Sequence, residues 1–541
     1  MSDEDGISDG SDIDSNLEET VLGSDDSTMG FQLSREDSNQ LTSNEIAGFT
    51  YLRSVVNTYN AFMYTNPAEL DDYGKIRLSI LSEYLPLSSQ VVYGFADCST
   101  LLQLEIGLSN FSFTHKPDTI NYFHPVLGKT YVGRPIVNEV IAEFFSTLYK
   151  PRSFYKSAAY LLSPPGKCDM KLLKKLRDEG YDGDRAEHAL TLYNNDYMKA
   201  LDFLKTGQLP VAKTDIAIPY SDCPLLYLVL EIVEVFLDLP DHCCICRKLS
   251  TDTGVKPMPC DDQLCNYTYV ELGVGCSLYN EIKRDPLAAD LVFSMFCCSI
   301  GTPYMKPAPT MFNQPQMIEL IEKIPRMSEI IANYKSDSEL EKSIGTDAFT
   351  LLRWVLMTNR SQFISLDDEL TLPEYLSQDT KIFMVIANTP QKENDFRELR
   401  SKYNSLWFWH GSLHNRWHSI FRNGLQNMSN TPGMANAACY GPGIYLARNS
   451  GDSLGYVREG KNRYTRSAFG TNLNLIALCE VANVPDLADN GWNHTLRDTK
   501  AVVIRFLIFN MKKSIDVIKD PPKNIPTLRD VLEHHANNAR K

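Results

Sequence analysis

Leu406-Trp407-Phe408-Trp409-His410-Gly411-Ser412, then Tyr440-Gly441-Pro442-Gly443-Ile444-Tyr445-Leu446, then Ser453-Leu454-Gly455-Tyr456, are the stretches on which the reading of this chain turns. The first is an apolar, aromatic run suited to a buried strand, ending in a polar tripeptide. The second is a glycine–proline turn opening onto another short strand. Gly411 has no Cβ, so its backbone can approach a partner closely. His410 can hydrogen-bond a hydroxyl, Ser453 offers a hydroxyl of its own, and Tyr445 and Tyr456 can wall a flat ring. The pair Gly441-x-Gly443 is not a dinucleotide loop of the Rossmann type: no helix follows it, and no acidic residue stands about 20 positions on.

His-Gly-Ser, a Gly-x-Gly-Ile-Tyr-Leu about 30 residues later, and Ser-x-x-Tyr beginning eight residues past that tyrosine together resemble the signature of PARP-type ADP-ribosyltransferases. The resemblance covers about residues 310–515. It implies NAD+ as substrate. Breaking the nicotinamide–ribose bond develops positive charge on the ribose, so such a site works by fixing the pose and stabilising that charge. His410 and Ser412 would contact the ribose on the adenosine side. Gly411 and Ser453 would bind the carboxamide, and Tyr456 and Tyr445 would pack on the nicotinamide. The loop Asn427–Ala438 would cover the donor, and Leu475–Val481 would be the central strand that follows. Polymer-building members carry a glutamate at a third position. The corresponding segment here, Asn490-Gly491-Trp492-Asn493-His494-Thr495, has none, and Asn493 stands nearest. His410, Tyr445 and Asn493 are thus the candidate catalytic set. The missing carboxylate implies transfer of single units, because chain extension loses the group that orients the acceptor hydroxyl. The rival reading keeps the fold without activity and makes the chain a ubiquitin-binding adaptor.

Upstream, Cys243-x2-Cys246-x13-Cys260-x4-Cys265 offers four thiolates on two short knuckles, the donor set of a structural Zn2+. Unligated reduced cysteines are the other reading. The stretch 241–275 also resembles a Cys-rich region that precedes the catalytic domain in one PARP subgroup. Residues 170–207 read as three short helices, Met170–Asp178, Asp184–Tyr193 and Asp196–Lys205. Their glycine–aromatic loop and Ala-x-x-Phe-Leu resemble a ubiquitin-associated (UBA) domain. That resemblance implies ubiquitin contacts at Gly180, Tyr181 and Leu204, beside the alternative of a generic three-helix unit.

The whole is an α+β multidomain protein. The expected divisions are a disordered acidic tail (1–45), an α+β unit without a chemical motif (46–165) and the UBA-like unit (168–207). A helical and Cys-rich module (220–310), a helical lead-in (311–370), the catalytic domain of two packed antiparallel sheets with helices (371–515) and a tail (516–541) follow. In the second unit, Val91–Phe95 and Leu101–Phe113 read as strands. A net charge of −15 with no basic cluster argues against a broad nucleic-acid face. The acidic start is the opposite of a signal peptide, so reduced thiols and a cytoplasmic setting, with the nucleus open, are expected. The most apolar stretch, Leu225–Leu239, is interrupted by Glu231, Glu234 and Asp238 and reads as a buried helix, not a membrane span.

Overall fold

The computed structural model describes residues 43–511, apart from internal stretches of which 207–217, 367–378 and 429–439 are the longest, and Val531. The acidic segment 1–42 and nearly all of the C-terminal tail lie outside the described residues. The first helix, Ser43–Phe62, buries Leu52, Val55, Val56 and Tyr59, an i, i+3, i+4, i+7 stripe. That stripe belongs to a core shared with a four-stranded antiparallel meander: β1 (Glu69–Leu70), β2 (Lys75–Leu81), β3 (Thr100–Gly107) and β4 (Thr119–Phe123). In β2 the alternation is clean, with Ile76, Leu78 and Ile80 inside. Val91 and Val92, expected in a strand, lie instead in the helix Leu87–Tyr93. Tertiary packing overrides their β preference: Val92 and Tyr93 are buried, and Tyr93 meets Phe236 edge-on at 5.4 Å.

The helix Pro224–Asp238 is apolar on every side and is buried from Pro224 to Phe236. It packs into this N-terminal core, while Pro286–Ser299 packs into the C-terminal one. The expected 220–310 module is therefore shared between two cores. A helix without a polar face must be surrounded, and the local segment is too small to surround it. Its two buried carboxylates are satisfied. Glu231 accepts from Tyr155 (2.6 Å) and Arg152 (3.0 Å), and Glu234 from the N–H groups of Lys156 and Ser157 (both 2.8 Å). Among the described residues, no helix is long and apolar enough to cross a membrane.

Three helices, Met170–Asp178, Gly183–Leu192 and Tyr197–Thr206, enclose a small core of their own built on Leu173, Leu176, Ala189, Leu190, Phe203 and Leu204. Asp169 caps the first, accepting from the N–H of Lys171 at 2.8 Å.

Helices between Leu278 and Met357 pack against the C-terminal sheet, whose order is β12-β13-β8-β7-β11-β14-β6-β5. The strands are β5 (Gln362–Ser365), β6 (Lys381–Ala387), β7 (Ser405–Gly411), β8 (Ile444–Ala447), β11 (Leu475–Ala482), β12 (Ala488–Asp489), β13 (Asn493–Leu496) and β14 (Val502–Phe509). A separate ribbon pairs β9 (Gly460–Lys461) with β10 (Asn472–Leu473). All pairings in the large sheet are antiparallel. The sequence suggests two packed sheets. The structure instead joins a five-strand and a three-strand group into one sheet through a single pair, Trp409 opposite Ala447. The register is lost beyond that pair because β7 ends at Gly411 and turns away into His414–Arg416.

β11 is buried along its whole length, Glu480 included. Burial pushes the Glu480 carboxyl up, but Arg505 and Arg400 outweigh it and hold the group below the usual carboxylate range. Arg505 donates to Glu480 at 2.9 Å and forks onto Glu393 at 2.9 and 3.0 Å.

Candidate functional site

The seam between β7 and β8 is where the predicted residues meet. His410 and Gly411 close β7 opposite Ala477 and Ile476 of β11. The helix Ser450–Leu454 follows β8 after a two-residue turn and is capped by Asn449, which accepts from the Gly451 N–H at 2.7 Å. It lies directly on the end of β7. A Cβ on Gly411 would stand 1.9 Å from the Ser453 carbonyl oxygen and 3.3 Å from Tyr456 Cβ. Glycine is therefore required here by close approach of two backbones, not by an unusual φ. Gly411, Ser453 and Tyr456, distant in sequence, form one corner. Ser412 and Ser453 are buried, while Tyr456 is 46% exposed and presents its ring at the rim.

Across the seam, His410 Nδ1 lies 3.0 Å from the Tyr445 carbonyl oxygen. A carbonyl only accepts, so Nδ1 carries the proton, and Nε2 of a neutral ring is left as an acceptor. Burial holds the His410 pKa below its ordinary value, partly offset by that bond to Tyr445. The ring meets Trp417 edge-on at 6.4 Å. The Tyr445 hydroxyl donates to the Gly441 carbonyl at 2.8 Å and accepts from the Tyr440 N–H at 3.0 Å. This clamps the turn before β8, with Gly441 at φ +88° and Gly443 at φ +159°. A Cβ at Gly443 would press on the Leu496 carbonyl at 2.8 Å, so this turn is seated on β13.

β13 carries Asn493, the residue expected nearest the third position. Asn493 pairs with Ala447 and Thr495 with Tyr445. Asn493 and Tyr445 thus share a face of this ladder as diagonal neighbours. The Asn490 side-chain amide donates to Asn493 Oδ1 (3.2 Å) and to Thr495 Oγ1 (2.8 Å), fixing the asparagine with its own NH2 free of that bond. Behind it stands a group that no motif announced. Asp489 pairs with Arg448, and His494 Nε2 lies 3.7 Å from Asp489 and 3.2 Å from Arg448. The β12–β13 hairpin and the turn after β8 bring these three together, and the only hint in the sequence is an Asn-Gly turn. Of the expected covering loop Asn427–Ala438, only the first two positions are among the described residues.

Residues 371–503 match the family described as the poly(ADP-ribose) polymerase catalytic domain. That span contains His410, Gly411, Tyr445, Ser453, Tyr456 and Asn493. Protein mono-ADP-ribosyltransferase PARP8 of Mus musculus is 27% identical over 339 residues, 54% of this chain and 40% of its own. The Homo sapiens protein of that name is 27% identical over 53% of this chain and 39% of its own. Protein mono-ADP-ribosyltransferase PARP16 of Mus musculus is 23% identical over 38% of this chain and 65% of its own. The chain thus spans about two fifths of the first of these relatives.

The cysteines expected to bind metal also converge. The sulfurs of Cys243, Cys246, Cys260 and Cys265 all lie within 4.8 Å of one another, and Cys246 and Cys260 are 3.9 Å apart. A zinc tetrahedron with bonds of about 2.3 Å has edges of about 3.8 Å, so the cluster has the right size. Cys243 Sγ accepts from the N–H groups of Cys260 (3.2 Å), Ile245 (3.4 Å) and Cys246 (3.5 Å). Burial pushes the Cys243 thiol up, yet these donors bring it down to about 7. The donor set fits a closed structural site.

The UBA-like surface fares differently. Gly180 lies outside the described residues, and Tyr181 is half-buried against the three-helix core. Leu204 is 1% exposed and belongs to that core. It shares the i, i+3, i+4 stripe of Ala200 and Phe203, which faces inward, so it is not a surface contact.

Proposed function

We propose that this chain is an NAD+-dependent ADP-ribosyltransferase that transfers single ADP-ribose units to protein side chains. The observation that carries this reading is the corner where Gly411, Ser453 and Tyr456 converge beside a neutral His410, inside the span that matches the PARP catalytic domain. A carboxamide needs a backbone donor–acceptor pair and a hydroxyl, which Gly411 and Ser453 supply, and Tyr456 and Tyr445 supply aromatic faces. Nε2 of His410 accepts a ribose hydroxyl. In the reaction, an acceptor atom bonds to the anomeric carbon as the bond to the nicotinamide nitrogen breaks. Nicotinamide leaves neutral with the electron pair. A carboxylate acceptor has no proton to lose, while a hydroxyl or thiol acceptor releases one to solvent.

Single-unit transfer rests on Asn493. Its amide cannot take a proton from, or strongly polarise, an incoming ribose hydroxyl, as elongation requires. The relatives named above are themselves described as mono-ADP-ribosyltransferases. Cys243, Cys246, Cys260 and Cys265 would hold a structural Zn2+. The full chain incubated with adenylate-labelled NAD+ should release nicotinamide and gain single ADP-ribose adducts by mass spectrometry. Ladders of product that vanish in His410→Ala would show that chains are built. Absence of nicotinamide release would favour a non-catalytic role for the fold.

A further inference from the structure

The strands of the C-terminal sheet divide their side chains between two faces by alternation. On β6, Phe383 and Val385 enter the core shared with the helices between Leu278 and Met357, while Ile382, Met384 and Ile386 enter a second cluster. On β7, Phe408 belongs to the first core, and Trp407 and Trp409 to the second cluster. Five adjacent strands, β7, β11, β14, β6 and β5, contribute to that second cluster, and its members are buried. Four inter-strand spacings of about 4.8 Å make the face roughly 19 Å wide. An apolar face of that size does not stay open to water, so some part of the chain must lie on it.

Val531 shows which part. It is helical, 0% exposed, and belongs to the same cluster as Trp409 and Phe506. Met511, just after β14, belongs to it too, so the chain leaves this face at 511 and is back on it at 531. One valine spans only a fraction of the face. The sequence around it supplies more: Leu528, Val531 and Leu532 stand at i, i+3 and i+4, and Thr527-Leu528-Arg529-Asp530 has the form of a helix start. The face also bears on the donor corner. Trp409 precedes His410. Leu454 and Val457, which pack against the cluster, are the chain neighbours of Ser453 and Tyr456. Each of these three site residues thus has its neighbour seated on the face to which Val531 is anchored. We propose that the segment 512–541 covers this face, with Val531 as its anchor, and so holds the donor corner in place. Val531 is a positioning residue that acts through Trp409, Leu454 and Val457. The cover rests on packing alone, and its effect on NAD+ rests on the transferase reading above.

The test compares the full chain with Val531→Asp, Val531→Ala and Val531→Ile. Amide exchange is read strand by strand, together with the affinity for benzamide, a ring that carries the carboxamide of nicotinamide. In Val531→Asp, exchange in β7 and in Ser450–Leu454 should quicken by about ten-fold. Exchange in β13, none of whose residues belongs to the cluster, should stay within about two-fold of the parent. The benzamide Kd should rise about ten-fold, since a corner displaced by about 1 Å no longer fits the carboxamide. Val531→Ala removes methyl groups without adding charge and should move both readings the same way by about three-fold, which keeps the test alive if the aspartate variant does not fold. Val531→Ile should match the parent in both. Equal quickening in β7 and β13, or an unchanged benzamide Kd beside quickened exchange in Ser450–Leu454, overturns the positioning role. Protection of β7 that is lost on dilution would assign the cover to a second copy of the chain and overturn the proposal as well. A parent chain that releases no nicotinamide from NAD+ overturns the transferase reading instead, and exchange in β7 still decides on the cover.

Discussion

The cleft at the β7–β8 seam and the four-cysteine cluster are both constellations of a few side chains, but they are built on opposite plans. The cluster takes all its sulfurs from 243–265, a single local excursion. The cleft draws on β7, β8, the helix after β8, and β13, with 82 residues between His410 and Asn493. A local site is held by its ligand and the turns between donors, whereas an assembled site is held by the sheet that carries it. The two should therefore break in different ways.

The largest effect is expected at Gly411. A single methyl group there meets the Ser453 carbonyl at 1.9 Å, so Gly411→Ala must push the helix Ser450–Leu454 off the end of β7. A displacement of about 1 Å can cost on the order of 100-fold in rate, and NAD+ turnover should fall by at least that. Tyr456→Ala separates pocket from fold. Its ring is half exposed, so turnover should drop steeply while the thermal midpoint stays within about 2 °C of the parent. A midpoint that falls as far as for Gly411→Ala would mean that the ring is structural.

The cluster should answer in the reverse order. Cys260→Ser, or chelation of the metal, should abolish stoichiometric zinc in the purified chain. It should also lower the midpoint of the N-terminal transition by about 10 °C, since structural zinc contributes folding energy directly. NAD+ turnover should change by less than about three-fold, because the sheet does not rest on those four sulfurs. Equal losses of turnover in Cys260→Ser and Gly411→Ala would erase the distinction between the two plans.

The same contrast explains what could be read in advance. The cysteine cluster was legible because its geometry is encoded in spacing alone. The cleft was legible through Gly411 and Gly443, whose types are constrained by close approach, through Gly441, which turns at φ +88°, and through the spacing of Ser453 and Tyr456. Asn493 is reached by counting back from β14, Val502–Phe509, an unmistakable apolar run. What escaped were features decided by partners far along the chain. Val91 and Val92 have strand-like composition but lie in a helix packed under Phe236. Leu204 matches a family surface position, yet the stripe it shares with Phe203 turns inward. Arg448, Asp489 and His494 carry no motif, and only the hairpin register brings them together. The one-pair seam at Trp409–Ala447 is likewise invisible to periodicity, which reports faces and not where a sheet parts.

Acid offers a milder way to probe the assembled site. His418, eight residues after His410 and on the supporting helix Trp417–Asn423, is buried and donates from Nε2 to the Pro307 carbonyl at 2.9 Å. Burial, with Arg422 nearby, pushes its pKa down to about 3. The unfolded chain takes up this proton below about pH 6.5, while the folded chain refuses it until about pH 3. Its contribution to stability is thus fully present above pH 6.5 and is lost progressively as pH falls through that window. Between pH 7 and pH 5 the loss from this one group is about 2 kcal/mol. His418→Gln keeps a donor for Pro307 and removes the titration. Denaturant unfolding at the two pH values should therefore show a smaller decline in the variant than in the parent, and equal declines would assign the acid sensitivity to other groups.

The smallest effect is expected where the three-helix unit meets the catalytic sheet. Asp202 on the helix Tyr197–Thr206 pairs with Arg400 and lies 3.6 Å from Arg397, and Arg400 reaches on to Glu480 of β11 at 3.6 Å. The side chains of this junction are between a fifth and a third exposed, apart from Glu480, so solvent screens much of the attraction. Asp202→Asn should cost no more than about 1 kcal/mol. The sign of its reach matters more than its size. Glu480 keeps Arg505 and Ser405 as partners when Arg400 is released, so β7 and β11 retain their pairing and turnover should be unaltered. Amide exchange in Tyr197–Thr206 should quicken by about five-fold, the equivalent of that free energy, while exchange in β11 stays put. Quickening in both would mean that the junction and the sheet open as one unit, and that the cleft depends on the three helices as well as on its own strands.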